Sequence, residues 1–208
     1  MRRELYTLRQ GDGTQKQVWL LFINGRDELR PYLAMLVRCY KEIFAGAPYF
    51  ENYDGKEDGI ERDFNSFADD GILALAVAMP WAECEIGEVI GFSAGIGIDK
   101  SEVREFLEEN KDLLEVPMSS YIYMAELGVI ESMRRMGLGK ALIEARIREA
   151  KSNLKFVFTH FIMRTAKEGS NSARIYLRLG ARLVQGLIQK KEDFGTQSTE
   201  RIFLSRKL

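Results

Sequence analysis

Three cations and two glycines stand together where this chain passes from an apolar run into a helical pattern. The apolar run is Tyr121 to Ile130, and Arg134-Arg135-Met136-Gly137-Leu138-Gly139-Lys140 begins five residues after Val129. Glycines at a helix entrance let the main chain approach a ligand closely. The unpaired N–H groups of the first turn point at that ligand, and the helix dipole favours negative charge there. Arg134, Arg135 and Lys140 bring mobile positive charge to the same spot. Together they predict an anion site suited to a pyrophosphate.

Two other phosphate loops do not fit. A Walker loop needs Gly-Lys followed by Ser or Thr, and Lys140 is followed by Ala141. The Rossmann pattern GxGxxG is absent from this turn. The spacing Arg-x-x-Gly-x-Gly after a strand valine resembles the coenzyme A loop of the GCN5-related N-acetyltransferases (GNAT). A second motif agrees: Ser172 to Ala181 resembles the family's helix that carries a tyrosine, Tyr176, with a glycine, Gly180, four residues later. The likeness is specific from Tyr121 to Ala181.

The resemblance implies a set of roles. Main-chain groups of Leu127 and Val129 would pair with the pantetheine amides of acetyl-coenzyme A, with Gly128 placed for a strand bulge. Arg134, Arg135, Gly137, Leu138, Gly139 and Lys140 would hold the pyrophosphate. Tyr176 would protonate the departing thiolate, since a tyrosine hydroxyl is protonated at neutral pH yet can donate to a basic sulfur anion. The alternative for Tyr176 is an ordinary core position on an amphipathic helix. The family's usual proline two residues after the strand valine is Glu131 here, and its usual asparagine position is Gly169. Asn171 would therefore either contact the cofactor or cap its helix.

Glu126 is the one charge in the apolar run. A lone acid in a buried strand is costly unless paired or functional. It is read either as the base that deprotonates an incoming amine, its pKa raised by burial, or as half of a salt bridge or an outward-facing position.

Competing signals are weaker. Gly91-Phe92-Ser93-Ala94-Gly95 matches the GxSxG elbow of α/β-hydrolases, but the residues after it read as continuing strand, whereas the elbow needs a helix. The sole histidine, His160, falls in an apolar strand and reads as a core residue. Cys39 and Cys84 form no CxxC pair and read as reduced thiols, and no metal site is expected.

The elements that must position these residues alternate. Leu5–Arg9, Val18–Ile23, Ile72–Met79, Glu88–Ile98, Tyr121–Ile130, Phe156–Met163, Leu183–Gln189 and Arg201–Ser205 read as strands, the third and fourth as a hairpin around Pro80–Gly87. Arg26–Phe44, Gly137–Ser152 and Asn171–Leu179 read as helices, Gly46 and Pro48 ending the first. Glu51–Asp70 reads as loop plus a short helix, and Asp99–Pro117 as an amphipathic helical insertion. The expected fold is α/β (α+β): a mixed, mostly antiparallel sheet with helices on both faces, as the resemblance also implies. All 208 residues are expected to form one domain, with the insertion at 99–118.

Charge is split along the chain. Up to Ser132 there are 13 basic and 25 acidic residues; from Met133 there are 17 and 6. The basic third could hold an anion, and the acidic front, Ala47–Asp70 and Asp99–Met118, could favour a cationic acceptor. By family analogy the reaction is acetyl transfer to a primary amine of a small molecule or peptide, by direct attack in a ternary complex. A coenzyme A-binding sensor without turnover is the alternative. No nucleic-acid or membrane partner is expected, the location is expected to be cytoplasmic, and the C-terminal sheet edge could pair with a second subunit to form a homodimer.

Overall fold

A computed structural model describes residues 1–9, 11–45, 52–79, 87–152, 158–167, 171–190 and 200–208. Among these, eight strands hydrogen-bond in the order β1-β2-β3-β4-β5-β6-β8-β7. They are β1 Arg2–Arg9, β2 Gln15–Ile23, β3 Gly71–Ala78, β4 Val89–Gly97, β5 Tyr121–Val129, β6 His160–Ala166, β7 Arg182–Lys190 and β8 Glu200–Lys207. The sheet is mostly antiparallel and flanked by helices, as expected; the pair β5–β6 is parallel. The chain forms two compact units, Met1–Ala94 with Glu126–Arg146, and Gly95–Ala125 with Ile147–Leu208.

In the first unit, β1 and β2 pair from Arg2↔Phe22 to Arg9↔Gln15, and β2 pairs with β3 over Val18↔Ala78 to Ile23↔Leu73. The predicted helix 26–44 is broken. Helix α1 (Arg26–Leu29) passes through a 3-10 turn, Arg30–Tyr32, before α2 (Leu33–Ala45) begins. Pro31 is the cause, because it cannot donate to the ladder and clashes with the preceding turn. Gly46 and Pro48, expected to stop this helix, lie outside the described residues, as does most of the Pro80–Gly87 turn. Helix α3 (Glu57–Asp70) is longer than expected at fourteen residues. Ile60, Phe64, Phe67 and Ala68 are buried along one face, and that stripe holds an otherwise acidic segment in place. The core joins Leu20, Phe22, Ala74 and Ile90 to Met133, Met136, Leu138 and Leu142.

In the second unit, β6 pairs with β8 from His160↔Lys207 to Ala166↔Arg201, and β7 covers the other side of β8. The segment 99–118 is helical, though broken into helix α4 (Arg104–Glu109) and short 3-10 turns. Its Val103 and Leu107 pack with Tyr121, Tyr123, Ile162, Leu187 and Phe203. Phe106 stacks on Phe203 with centroids 5.4 Å apart. Three of its acids have partners: Glu102 accepts from Arg164 at 2.6 Å and from the Tyr123 hydroxyl at 3.2 Å, Glu108 pairs with Lys111, and Glu115 lies 3.8 Å from His160.

Candidate functional site

The predicted anion loop forms as a turn between β5 and a long helix. Strand β5 ends at Val129, Glu131–Met133 make a 3-10 turn, and α5 (Leu138–Ser152) follows. Met133, Met136 and Leu138 are buried and anchor the loop to the core, while Arg134, Arg135, Gly137 and Lys140 between and beside them are exposed. This alternation lets apolar side chains fix the loop and leaves the cations in solvent. Arg135 (φ 63) is the one non-glycine with positive φ among the described residues, and Gly137 follows at φ 85. Left-handed backbone at a non-glycine residue costs roughly 1–2 kcal/mol and tends to cluster at ligand-binding turns. A Cβ on Gly137 would meet nothing within 4 Å, so glycine is needed there for its backbone angle rather than for space. Helix α5 starts with Ala141 N–H donating to the Gly137 carbonyl at 3.0 Å. Arg134 Nε donates to the Val129 carbonyl at 3.0 Å, and Lys140 lies 3.6 Å from Glu144.

Strand β5 is buried from Tyr121 to Met124, but Ala125, Glu126 and Leu127 are only half-buried, which corrects the expectation of a strand buried throughout. Glu126 is thus a partly accessible acid. Gly128 has a steric reason to be glycine. A Cβ there would lie 2.6 Å from Phe92 Cζ and 2.8 Å from Ile43 Cδ1. Phe92 in turn belongs to an aromatic group: it stacks on Tyr40 (5.7 Å, 23°) and meets Phe64 edge-on (5.2 Å), and Tyr40 reaches Tyr53 with hydroxyls 3.5 Å apart. These residues come from α2, β4, α3 and the segment before α3.

One residue beside β5 was missed. Arg146 on α5 is 1% exposed, and its Nη1 donates to the main-chain carbonyls of both Ala94, on β4, and Glu126. The available signal was its spacing, since it lies four and eight residues after Leu142 and Leu138 and therefore on the apolar stripe of the helix.

In the second unit, Tyr176 lies on α6 (Asn171–Arg178), 1% exposed, with its ring 5.5 Å from that of Phe161. The helix closes in a Schellman arrangement. Ala181 N–H donates to the Tyr176 carbonyl and Gly180 N–H to the Leu177 carbonyl, both at 3.0 Å, with Gly180 at φ 86. The Tyr-x-x-x-Gly spacing is therefore a helix-closing geometry: the tyrosine occupies the third position from the end and the glycine the left-handed position after it. Asn171 is the first residue of α6 and is exposed; Gly169 lies outside the described residues. The β5–β6 ladder runs from Tyr121↔His160 to Tyr123↔Ile162, while β5 itself continues to Val129.

The decoys take ordinary places. Ser93 is fully buried in a strand that continues to Gly97, so the serine does not stand at a strand-to-helix turn. A Cβ on Gly91 would press on the Gly128 carbonyl (2.8 Å) and Leu142 (3.3 Å), so the small residues of β4 make room for β5 and α5. His160 is buried, with Nδ1 2.9 Å from the Thr159 hydroxyl and Nε2 3.8 Å from Glu115. Burial, with Glu42 and Glu88 adding to it, pushes the Cys39 thiol up to about 12, which leaves it inert at neutral pH. Cys84 lies outside the described residues. Among those residues no three His, Cys, Asp or Glu side chains group as metal ligands, and no helix is long and apolar enough to cross a membrane.

The mixed, mostly antiparallel sheet flanked by helices is the architecture of acetyltransferases of the GNAT type. The chain belongs to the acetyltransferase (GNAT) family, whose pattern matches residues 36–181. No curated protein gives a significant sequence match. The fold is similar to that of Arabidopsis thaliana NAA60 in complex with acetyl-CoA: TM-score 0.62, 20% identity, covering 92% of this chain and 98% of that one. It is also similar to Ard1 from Thermoplasma volcanium (0.59, 14%, 91% and 97%). A phosphinothricin acetyltransferase from Sinorhizobium meliloti in complex with AcCoA is comparably similar (0.60, 17%, 91% and 88%).

Proposed function

We propose that this chain is an N-acetyltransferase that moves an acetyl group from acetyl-CoA to a primary amine by direct attack in a ternary complex. The observation that carries the reading is the start of α5. Two left-handed positions within three residues, Arg135 and Gly137, precede a fifteen-residue helix, with Arg134, Arg135 and Lys140 exposed around it. That arrangement suits a pyrophosphate, which the helix start and the cations together would hold. Main-chain groups of Leu127 and Val129 pair with the pantetheine amides.

When bound, the cofactor supplies an activated acetyl thioester. Glu126 takes a proton from the amine, directly or through water, as nitrogen bonds to the acetyl carbon. Tyr176 gives its hydroxyl proton to the sulfur as the carbon–sulfur bond breaks, and proton exchange with solvent resets both groups. Asn171 is assigned to the cofactor side. The acceptor is a cationic amine, small molecule or peptide. The acids left exposed on 99–118, Asp99, Glu105, Glu109 and Asp112, support this choice.

A thermal-shift titration with acetyl-CoA tests the cofactor site. Ligand at about 100 times its dissociation constant should add roughly 2.7 kcal/mol of stability to wild type. A folded Gly137→Asp/Gly139→Asp variant should show no shift. An unchanged wild-type melting temperature with every acyl-coenzyme A would overturn the assignment. A shift without turnover on any amine would point instead to a coenzyme A-binding sensor.

A further inference from the structure

We infer that Arg146 is a positioning residue for the cofactor. Its buried guanidinium sets the direction of the Leu127 amide, so a side chain with no place in the proposed cofactor contacts governs how tightly the pantetheine arm is held. The inference rests on the proposed coenzyme A reading.

A guanidinium stays charged at any physiological pH, and taking it out of water is expensive unless strong acceptors compensate. Arg146 lies on the apolar stripe of α5 and is 1% exposed, so it bears that cost in the middle of a packed face. What it gains is main-chain oxygen. Nη1 carries two N–H groups; one nitrogen serves the Ala94 carbonyl on β4 and, at 2.8 Å, the Glu126 carbonyl on β5. Charge-assisted bonds of this kind are about twice as strong as those between neutral groups.

The consequence follows from peptide geometry. The Glu126 carbonyl and the Leu127 N–H belong to one planar trans unit, in which they point in opposite directions. Holding the carbonyl on Arg146, on the β4 side, turns the Leu127 N–H away from β4. That N–H is the first of the groups assigned to the pantetheine arm. The hold matters because the β5–β6 ladder ends at Tyr123↔Ile162, before Glu126 is reached. Crowding makes the same stretch stiff, since Gly128 lies against Phe92 and Ile43 and its carbonyl against Gly91. The pyrophosphate loop has a separate anchor in Met133, Met136 and Leu138.

This separation gives the test. The full-length Arg146→Met variant is compared with wild type for binding of coenzyme A and of 3′-phosphoadenosine 5′-diphosphate, which keeps the phosphates and lacks the pantetheine arm. Misplacement of a binding group by about 1 Å can cost on the order of a hundredfold. The variant should lose roughly ten- to a hundredfold in coenzyme A affinity and in kcat/KM, with the nucleotide bound as in wild type. Arg146→Lys, which keeps the charge but not the fork, should show a smaller loss of the same selective kind, and serves if the Met variant does not fold. Equal losses for both probes, or no loss for either, would overturn the inference. If wild type bound neither probe, the coenzyme A reading itself would fall, and this inference with it.

Discussion

On the proposed mechanism Tyr176 joins two duties in one position. Its carbonyl receives the closing bond of α6 from Ala181, so the main chain that carries the hydroxyl is held by the helix-ending motif itself. Glu126 is divided differently: its carbonyl accepts from Arg146, and its half-buried carboxyl is the group assigned as base on the proposed mechanism. The pH–rate profile should separate the two side chains. Tyr176→Phe keeps the ring packed on Phe161 and removes the proton donor, so kcat should fall by about 10²–10⁴-fold at all pH values, with coenzyme A affinity retained. Glu126→Gln should lose far more rate at low pH than at high pH, where the acceptor amine is already neutral. A pH-independent loss in the Gln variant would remove Glu126 as the base.

At the scale of elements, β4 and β5 are matched by small residues. Gly91 lies under the Gly128 carbonyl, and Gly128 lies under Phe92 and Ile43. Side-chain volume added at such a point must move a ring, a methyl group or a strand. Gly128→Ala should therefore destabilise the fold by about 1–3 kcal/mol, seen as a lower urea midpoint with an unchanged slope. Adding Phe92→Leu, which removes the ring atoms nearest the new methyl group, should recover part of the loss. An unchanged midpoint in the single variant would show that Phe92 and Ile43 yield without cost. Helix α3 makes a related point. Its acidic segment reads as loop plus only a short helix, but four apolar residues on one face outweigh the poor helix propensity of its Asp, Asn and Gly residues and extend it to fourteen residues.

At the scale of the whole molecule, charge divides along the chain, and on the proposed reading the basic part takes acetyl-CoA and the acidic part the acceptor. The net basic part from Met133 includes all three cations of the predicted anion loop, and the net acidic part includes 47–70 and 99–118. A panel of acceptors should show polyamines, amino sugars and lysine-containing peptides acetylated in preference to neutral or anionic amines, with the preference weakening as salt screens the exposed acids. Acetylation confined to neutral or anionic amines would sink the cationic-acceptor reading. The engagement of Glu102 by Arg164 and Tyr123 narrows which acids can take part, since that carboxylate already has charged and hydroxyl donors.

What was legible in the sequence is what short-range rules govern. The β5 run, the glycine and arginine spacing at the start of α5, and the Tyr176–Gly180 closure all depend on residues within a few positions of one another, so periodicity and turn chemistry reveal them. The break at Pro31 belongs to the same class and was available in principle. Contacts between distant residues were not legible. Arg146 reads as one more helix charge until its carbonyl partners, 20 and 52 residues earlier, are brought to it. Gly128 reads as a place for a bulge until Phe92 and Ile43 close over it. The partners of a buried charge and the space above a glycine are set by packing between separate elements, and only the tertiary structure decides them.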